Sequence, residues 1–217
     1  MGKLFNYDSG LIQFLNKIVD CAFLSILWLI FSLPLFTMGA ATTALYYTAN
    51  KVIRHSRSHV LREFWGSFKS NFKQSTIMNL ILMVIYFFVI ENIYLYYLKV
   101  YDGIVGKPMF IFNVILGFIV LAWSLHVFPF IARFENKLKA IAKLCAYFAI
   151  RHAGATILLI LSLAVALLLL WFFPFLIFVM PAFYMLVATF ILEPIYRRYM
   201  SDEDLQAEEE RNMVYYN

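Results

Sequence analysis

Residues 152–192 constrain this chain more than any other feature: from Arg151 to Glu193 the sequence carries no formal charge at neutral pH. A helix rising ~1.5 Å per residue crosses the hydrocarbon core of a bilayer with ~20 apolar residues, and this run is about twice that length. Pro174 and Pro181 lie near its middle, where a missing amide and a ring clash stop or kink a helix. The run therefore reads as two passes, at 154–173 and 175–193. Composition agrees, with 63% of residues hydrophobic, 14% charged and a mean hydropathy of +0.77, against ~25% charged in a soluble domain. A water-soluble chain of this size could not cover so much apolar surface. The sequence predicts an all-α fold, a multi-pass transmembrane helix bundle.

Two more spans are predicted at 76–98 and 109–132. The first apolar run, between Asp20 and Lys51, is broken by Pro34 and Gly39. If 34–38 forms a turn, spans 12–35 and 39–56 are separate and the total is six. If the run crosses once, there are five spans and an external N-terminus. The returning helix 39–56 carries Thr42, Thr43, Thr48 and Asn50, but its Ala40, Ala41 and Ala44 are small enough for close packing inside a bundle. Six spans put sixteen Lys and Arg residues on the inner side and two, Lys99 and Lys107, outside; five spans give fourteen and four. The positive-inside rule favours six, with both termini cytoplasmic. Basic inner loops facing anionic lipid account for the net charge of +5, so membrane lipid is the expected partner and nucleic acid is not.

Both large inner loops contain an amphipathic stretch, expected as interfacial helices at 59–74 and 134–150. In the first, Phe64, Trp65, Phe68 and Phe72 recur at helical spacing opposite Arg62, Lys69 and Lys73. In the second, Phe134, Leu138, Ile141, Cys145 and Phe148 lie opposite Lys137, Lys139 and Lys143. Such faces suit lipid headgroups, or a docking face for a partner built from Phe64, Trp65, Phe68, Phe72, Leu138, Ile141 and Phe148. A shift of 80 residues aligns Phe68 with Phe148 and Thr76-Ile77 with Thr156-Ile157, a hint of internal duplication. The tail 201–217 is acidic and expected in the cytoplasm.

Polar groups within hydrocarbon are costly and mark candidate sites. Glu91, Asn92 and Asn113 fall in the outer part of the predicted spans, Asn79 and His126 in the inner part. The outer group, with Tyr94, Tyr96 and Tyr97, fits either a small polar vestibule or an aromatic belt. Other chemistry is thin. Cys21 and Cys145 have no redox or metal spacing, and no disulfide is expected. His55 and His59 lack the Glu of a zinc-protease motif, and Gly103 to Pro108 is too short for a phosphate loop. Without a nucleophile elbow, Rossmann glycines or paired carboxylates, no enzyme activity, metal or cofactor is expected.

The segment Pro34-Leu35-Phe36-Thr37-Met38-Gly39-Ala40-Ala41-Thr42-Thr43-Ala44 resembles the P-x-x-T-x-G-x-x-x-x-A signature of the YesL-like family of bacterial membrane proteins. Residues 64–75, from Phe64-Trp65-Gly66 to Lys73-Gln74-Ser75, resemble its second hallmark, and length and order of spans are similar. The resemblance implies a protein of unknown activity in the bacterial cytoplasmic membrane, beside genes for carbohydrate uptake. It implies an accessory role, with ABC importer subunits or a membrane sensor as partners, and supplies no catalytic residues. A stand-alone small-solute transporter or channel, and a structural or chaperone-like membrane protein, are the alternatives.

Overall fold

Pro34 and Pro174 lie at breaks between helices of this protein, whereas Pro129 and Pro194 sit inside helices. A computed structural model describes residues 10–54, 59–98, 106–203 and 205–206. Among them are seven α-helices: α1 Gly10–Ser32, α2 Met38–Thr48, α3 Val60–Tyr97, α4 Gly106–Arg133, α5 Leu138–Arg151, α6 Ala153–Phe172 and α7 Met180–Tyr196. Short 3-10 turns at Leu35–Thr37, Pro174–Phe178 and Arg197–Tyr199 join or finish them, and α2 runs on into a π-helical turn, Ala49–Arg54. Four segments, Leu15–Ser32, Val60–Tyr97, Gly106–Arg133 and Ala153–Phe172, are long and apolar enough to cross a membrane. Both chain ends, 1–9 and 207–217, and the histidine His55 lie outside the described residues.

The turn expected at 34–38 is present, and its chemistry is local. A residue before proline is driven out of the helical region, so α1 stops at Ser32 and Pro34 is extended, at φ −76° and ψ 112°. The Thr37 hydroxyl lies 2.6 Å from the Phe31 carbonyl and 2.7 Å from that of Pro34, near the carbonyls that the end of α1 leaves without helical partners. Thr37→Val keeps the shape and removes these contacts. It is expected to cost about 1–2 kcal/mol, read as a lower unfolding midpoint in detergent.

The largest departure from the sequence expectation is α3. Segments 59–74 and 76–98, read as an interfacial helix followed by a span, form one unbroken helix of 38 residues. Gln74, Ser75 and Thr76 contain no helix breaker, and Ser75 is fully buried against α2, where its hydroxyl pairs with Thr43 at 2.8 Å. A helix of that length reaches about 57 Å, nearly twice the hydrocarbon thickness. One end must therefore extend beyond the apolar layer. Arg62, Glu63, Lys69 and Lys73 all sit in its first half, so the end that projects is its start, at Arg62 and Glu63.

The second amphipathic stretch does remain a separate helix, but it begins at Leu138 rather than 134. Lys137 is extended, at φ −69° and ψ 146°, and His152 at φ −113° and ψ 47° separates α5 from α6.

Two apolar cores hold the bundle. In one, Leu24 of α1, Ala40, Ala41, Ala44 and Leu45 of α2 and Phe64 and Phe68 of α3 are buried together. Phe31 closes it, its ring 5.6, 5.5 and 5.1 Å from those of Phe64, Trp65 and Phe68. In the other, Val127 and Phe130 of α4 meet Ile141, Cys145 and Phe148 of α5, Leu159 of α6 and Leu192 and Tyr196 of α7. The outside is apolar as well: Phe87, Phe88, Ile90, Phe112, Leu161 and Trp171 are all exposed, the surface expected of helices solvated by lipid.

Candidate functional site

Helix α2 lies at the centre of the bundle. Ala40, Ala41, Thr43 and Ala44 have no exposed surface, because small residues allow α3 and α4 to approach its backbone. At Gly39 the approach is closest. An added Cβ would sit 2.6 Å from the Asn79 Cβ, 2.6 Å from the Ser75 carbonyl oxygen and 2.8 Å from a Phe128 ring carbon. Asn79 completes the joint by donating to the Leu35 carbonyl at 2.8 Å. The proline-threonine-glycine-alanine pattern is thus a packing device that docks the 34–38 turn onto α3.

About two turns further along α2, at Tyr46, is a buried ionic group. Glu193 of α7, 4% exposed, accepts from the Tyr46 hydroxyl at 3.0 Å and pairs with the Arg133 guanidinium at 3.1 Å. Arg54 donates to the Thr189 carbonyl at 2.9 Å and covers the Phe190 ring. Two carbonyl-carboxylate anchor points on α7 are therefore gripped by residues from α2, its π-helical extension and α4. Glu193, Arg133 and Tyr46 were not among the residues that the sequence singled out. A signal existed, because Glu193 is the first charge after the longest uncharged run and intramembrane carboxylates seek a partner.

Two cavities flank this group. A polar cavity of about 1000 Å³ lies between the first half of α3, with Glu63, Ser67, Asn71 and Gln74, and the end of α4 with the loop after it, where Arg133 and Asn136 lie. The Gln74 amide donates to the Asn136 carbonyl across it, and Glu63 is ion-paired with Lys51 at 2.7 Å. At the nearby α5–α6 joint, partial burial and then the neighbouring Arg151 and Arg198 charges lower the His152 pKa, and its Nε2 lies 3.0 Å from the Tyr199 hydroxyl. The second cavity, of about 530 Å³, is apolar and is lined by residues of α1, α2, α3, α4, α6 and α7.

The intramembrane residues expected to form a site do not converge. Glu91 is exposed, and Asn92 donates to the Phe88 carbonyl one turn back at 2.8 Å. Asn113 is buried and does the same with the Met109 carbonyl at 3.0 Å. His126, 1% exposed, faces α6, with Nε2 3.0 Å from the Thr156 hydroxyl. Tyr96 stacks on Phe110 at 4.4 Å. Of the expected docking face, Phe64, Phe68, Ile141 and Phe148 are buried in the two cores and Leu138 is half-buried. Trp65 and Phe72 remain exposed, with Lys69 over the Trp65 ring at 4.8 Å.

Four apolar helices of spanning length, sealed by small residues and one buried ionic group, define a helical integral membrane protein. The family described as "Protein of unknown function, DUF624" matches residues 21–93, the stretch from α1 through most of α3. Two Bacillus subtilis (strain 168) proteins, both described as uncharacterized, are similar to this chain. YesL is 25% identical over 156 residues, 70% of this chain and 72% of its own length. YteU is 26% identical over 167 residues, 72% of this chain and 71% of its own. Together these matches bear out the YesL-like resemblance. No solved structure matches the chain.

Proposed function

We propose that this chain is an accessory protein of the bacterial cytoplasmic membrane, crossing it six times with both termini inside. In this reading its cytoplasmic end docks ABC-type carbohydrate importer subunits or their membrane sensor, without chemistry of its own. The two further crossings are α2 with its π-helical turn, Met38 to Arg54, and α7 with the 3-10 turn before it. The reading rests on one observation above all. The start of α3 keeps Leu61, Trp65 and Phe72 exposed beside Arg62, Lys69 and Lys73. Exposed aromatics among cations suit a partner's helix as well as headgroups. The intramembrane Asn79, Asn113 and His126, in contrast, are engaged in hydrogen bonds within the bundle.

Affinity purification in mild detergent tests this. The wild-type chain should recover importer subunits, and Trp65→Ala with Phe72→Ala should reduce that recovery at least tenfold while leaving the fold intact. Recovery of this chain alone, with normal sugar uptake in a deletion strain, contradicts it.

The polar cavity favours a second reading, a stand-alone transporter for small solutes. Reconstituted vesicles separate the two. The accessory reading expects no flux, and it expects Glu91→Gln, at an exposed position, to change stability by less than about 0.5 kcal/mol.

A further inference from the structure

We propose that the apolar cavity is a lipid site that holds one acyl chain of a phospholipid drawn from the surrounding bilayer. Its wall is built from Trp28, Leu82, Phe128, Leu163, Ala166 and Met180, so helices from both ends of the sequence enclose it. Of the polar side chains on its wall, all but Tyr184 already have partners. The Trp28 indole donates to the Thr42 hydroxyl at 3.1 Å, Tyr86 and Ser124 share a hydrogen bond at 2.8 Å, and Asn79 is held by Leu35. Water held in a cavity needs two to four polar partners, and the Tyr184 hydroxyl by itself supplies one.

Size and access select the occupant. A methylene takes up roughly the 30 Å³ share of a liquid water, so a void of about 530 Å³ has room for on the order of fifteen to eighteen carbons. That is one acyl chain. Met38, Met83 and Leu167 are part of the lining and are 40%, 37% and 57% exposed. The cavity therefore opens sideways, at the level of the exposed apolar faces of α3 and α6, where hydrocarbon rather than water is the neighbour. A flexible chain entering there covers apolar wall without carrying a polar group inside. The methionines at the mouth, unbranched and adaptable, suit a ligand without a fixed shape.

Nitroxide-labelled phosphatidylcholine added to the full chain in detergent micelles tests the site by electron paramagnetic resonance. The expected result is a motionally restricted component that saturates at about one lipid per chain and is displaced by unlabelled phosphatidylcholine. Ala166→Phe and Leu163→Trp, which fill the cavity, should weaken it at least tenfold. Leu168→Phe, on the exposed face of α6, should leave it unchanged. Three outcomes overturn the proposal: a restricted signal that never saturates, a saturating signal that both filling variants retain, or restriction of labelled fatty acid but not of labelled phosphatidylcholine. If both filling variants fail to fold, saturation and displacement in the wild type decide.

Discussion

Gly39→Ala is expected to destabilise this protein by about 3 kcal/mol or more, at the upper end of overpacking effects. A methyl group there meets the Ser75 carbonyl and the Asn79 Cβ at 2.6 Å. Neither is the free end of a side chain that could swing away. Alanine's helix propensity returns only about 1 kcal/mol. The same substitution at Gly66 or Gly154, where an added Cβ meets nothing within 4 Å, should be neutral or slightly stabilising. Unfolding midpoints of the three variants in one detergent check this, together with their levels in the membrane. Equal behaviour at Gly39 and Gly66 would show that α2 and α3 are not in close contact.

The second large effect is expected at the buried ionic group. Arg133→Met leaves the Glu193 carboxylate in a dry site without its guanidinium, and breaking a buried pair costs about 3–5 kcal/mol. Glu193→Leu should be comparable, because it removes the carboxylate paired with Arg133 and the acceptor of the Tyr46 hydroxyl. The double variant should be less damaged than the sum of the two, since two apolar groups replace the pair. Tyr46→Phe removes one hydrogen bond and should cost about 1–2 kcal/mol. Additive single effects in the double-mutant cycle would mean that Arg133 and Glu193 do not act together.

Much of the fold was legible because lipid solvation writes itself into long apolar runs. The uncharged stretches located the membrane helices, and Pro34 and Pro174 marked real junctions. The small residues of α2 also announced a helix inside the bundle. The unity of α3 was less visible. An amphipathic pattern passing into an apolar one looks like two elements, although nothing at Gln74 to Thr76 interrupts the backbone. The apolar stripe of α5 was correctly seen, but periodicity alone does not say whether the stripe meets lipid, a partner or the chain's own core. Here Ile141, Cys145 and Phe148 are buried with α4 and α7. The polar residues were the hardest part. Asn92 and Asn113 bond to their own helices, a use invisible in composition. Glu193 escaped notice because a carboxylate at the end of a span resembles a boundary marker until Arg133, sixty residues earlier in the chain, is placed beside it.

Cysteine labelling in cells is the most direct test of the whole account. Cys21 and Cys145 are buried, which keeps the background low. Arg62→Cys at the projecting end of α3 and Lys139→Cys on α5 should resist a membrane-impermeant maleimide in intact cells and react in inside-out vesicles. Leu98→Cys, at the other end of α3, should show the opposite. Labelling of Arg62→Cys from outside intact cells would contradict a bundle whose basic end faces the cytoplasm.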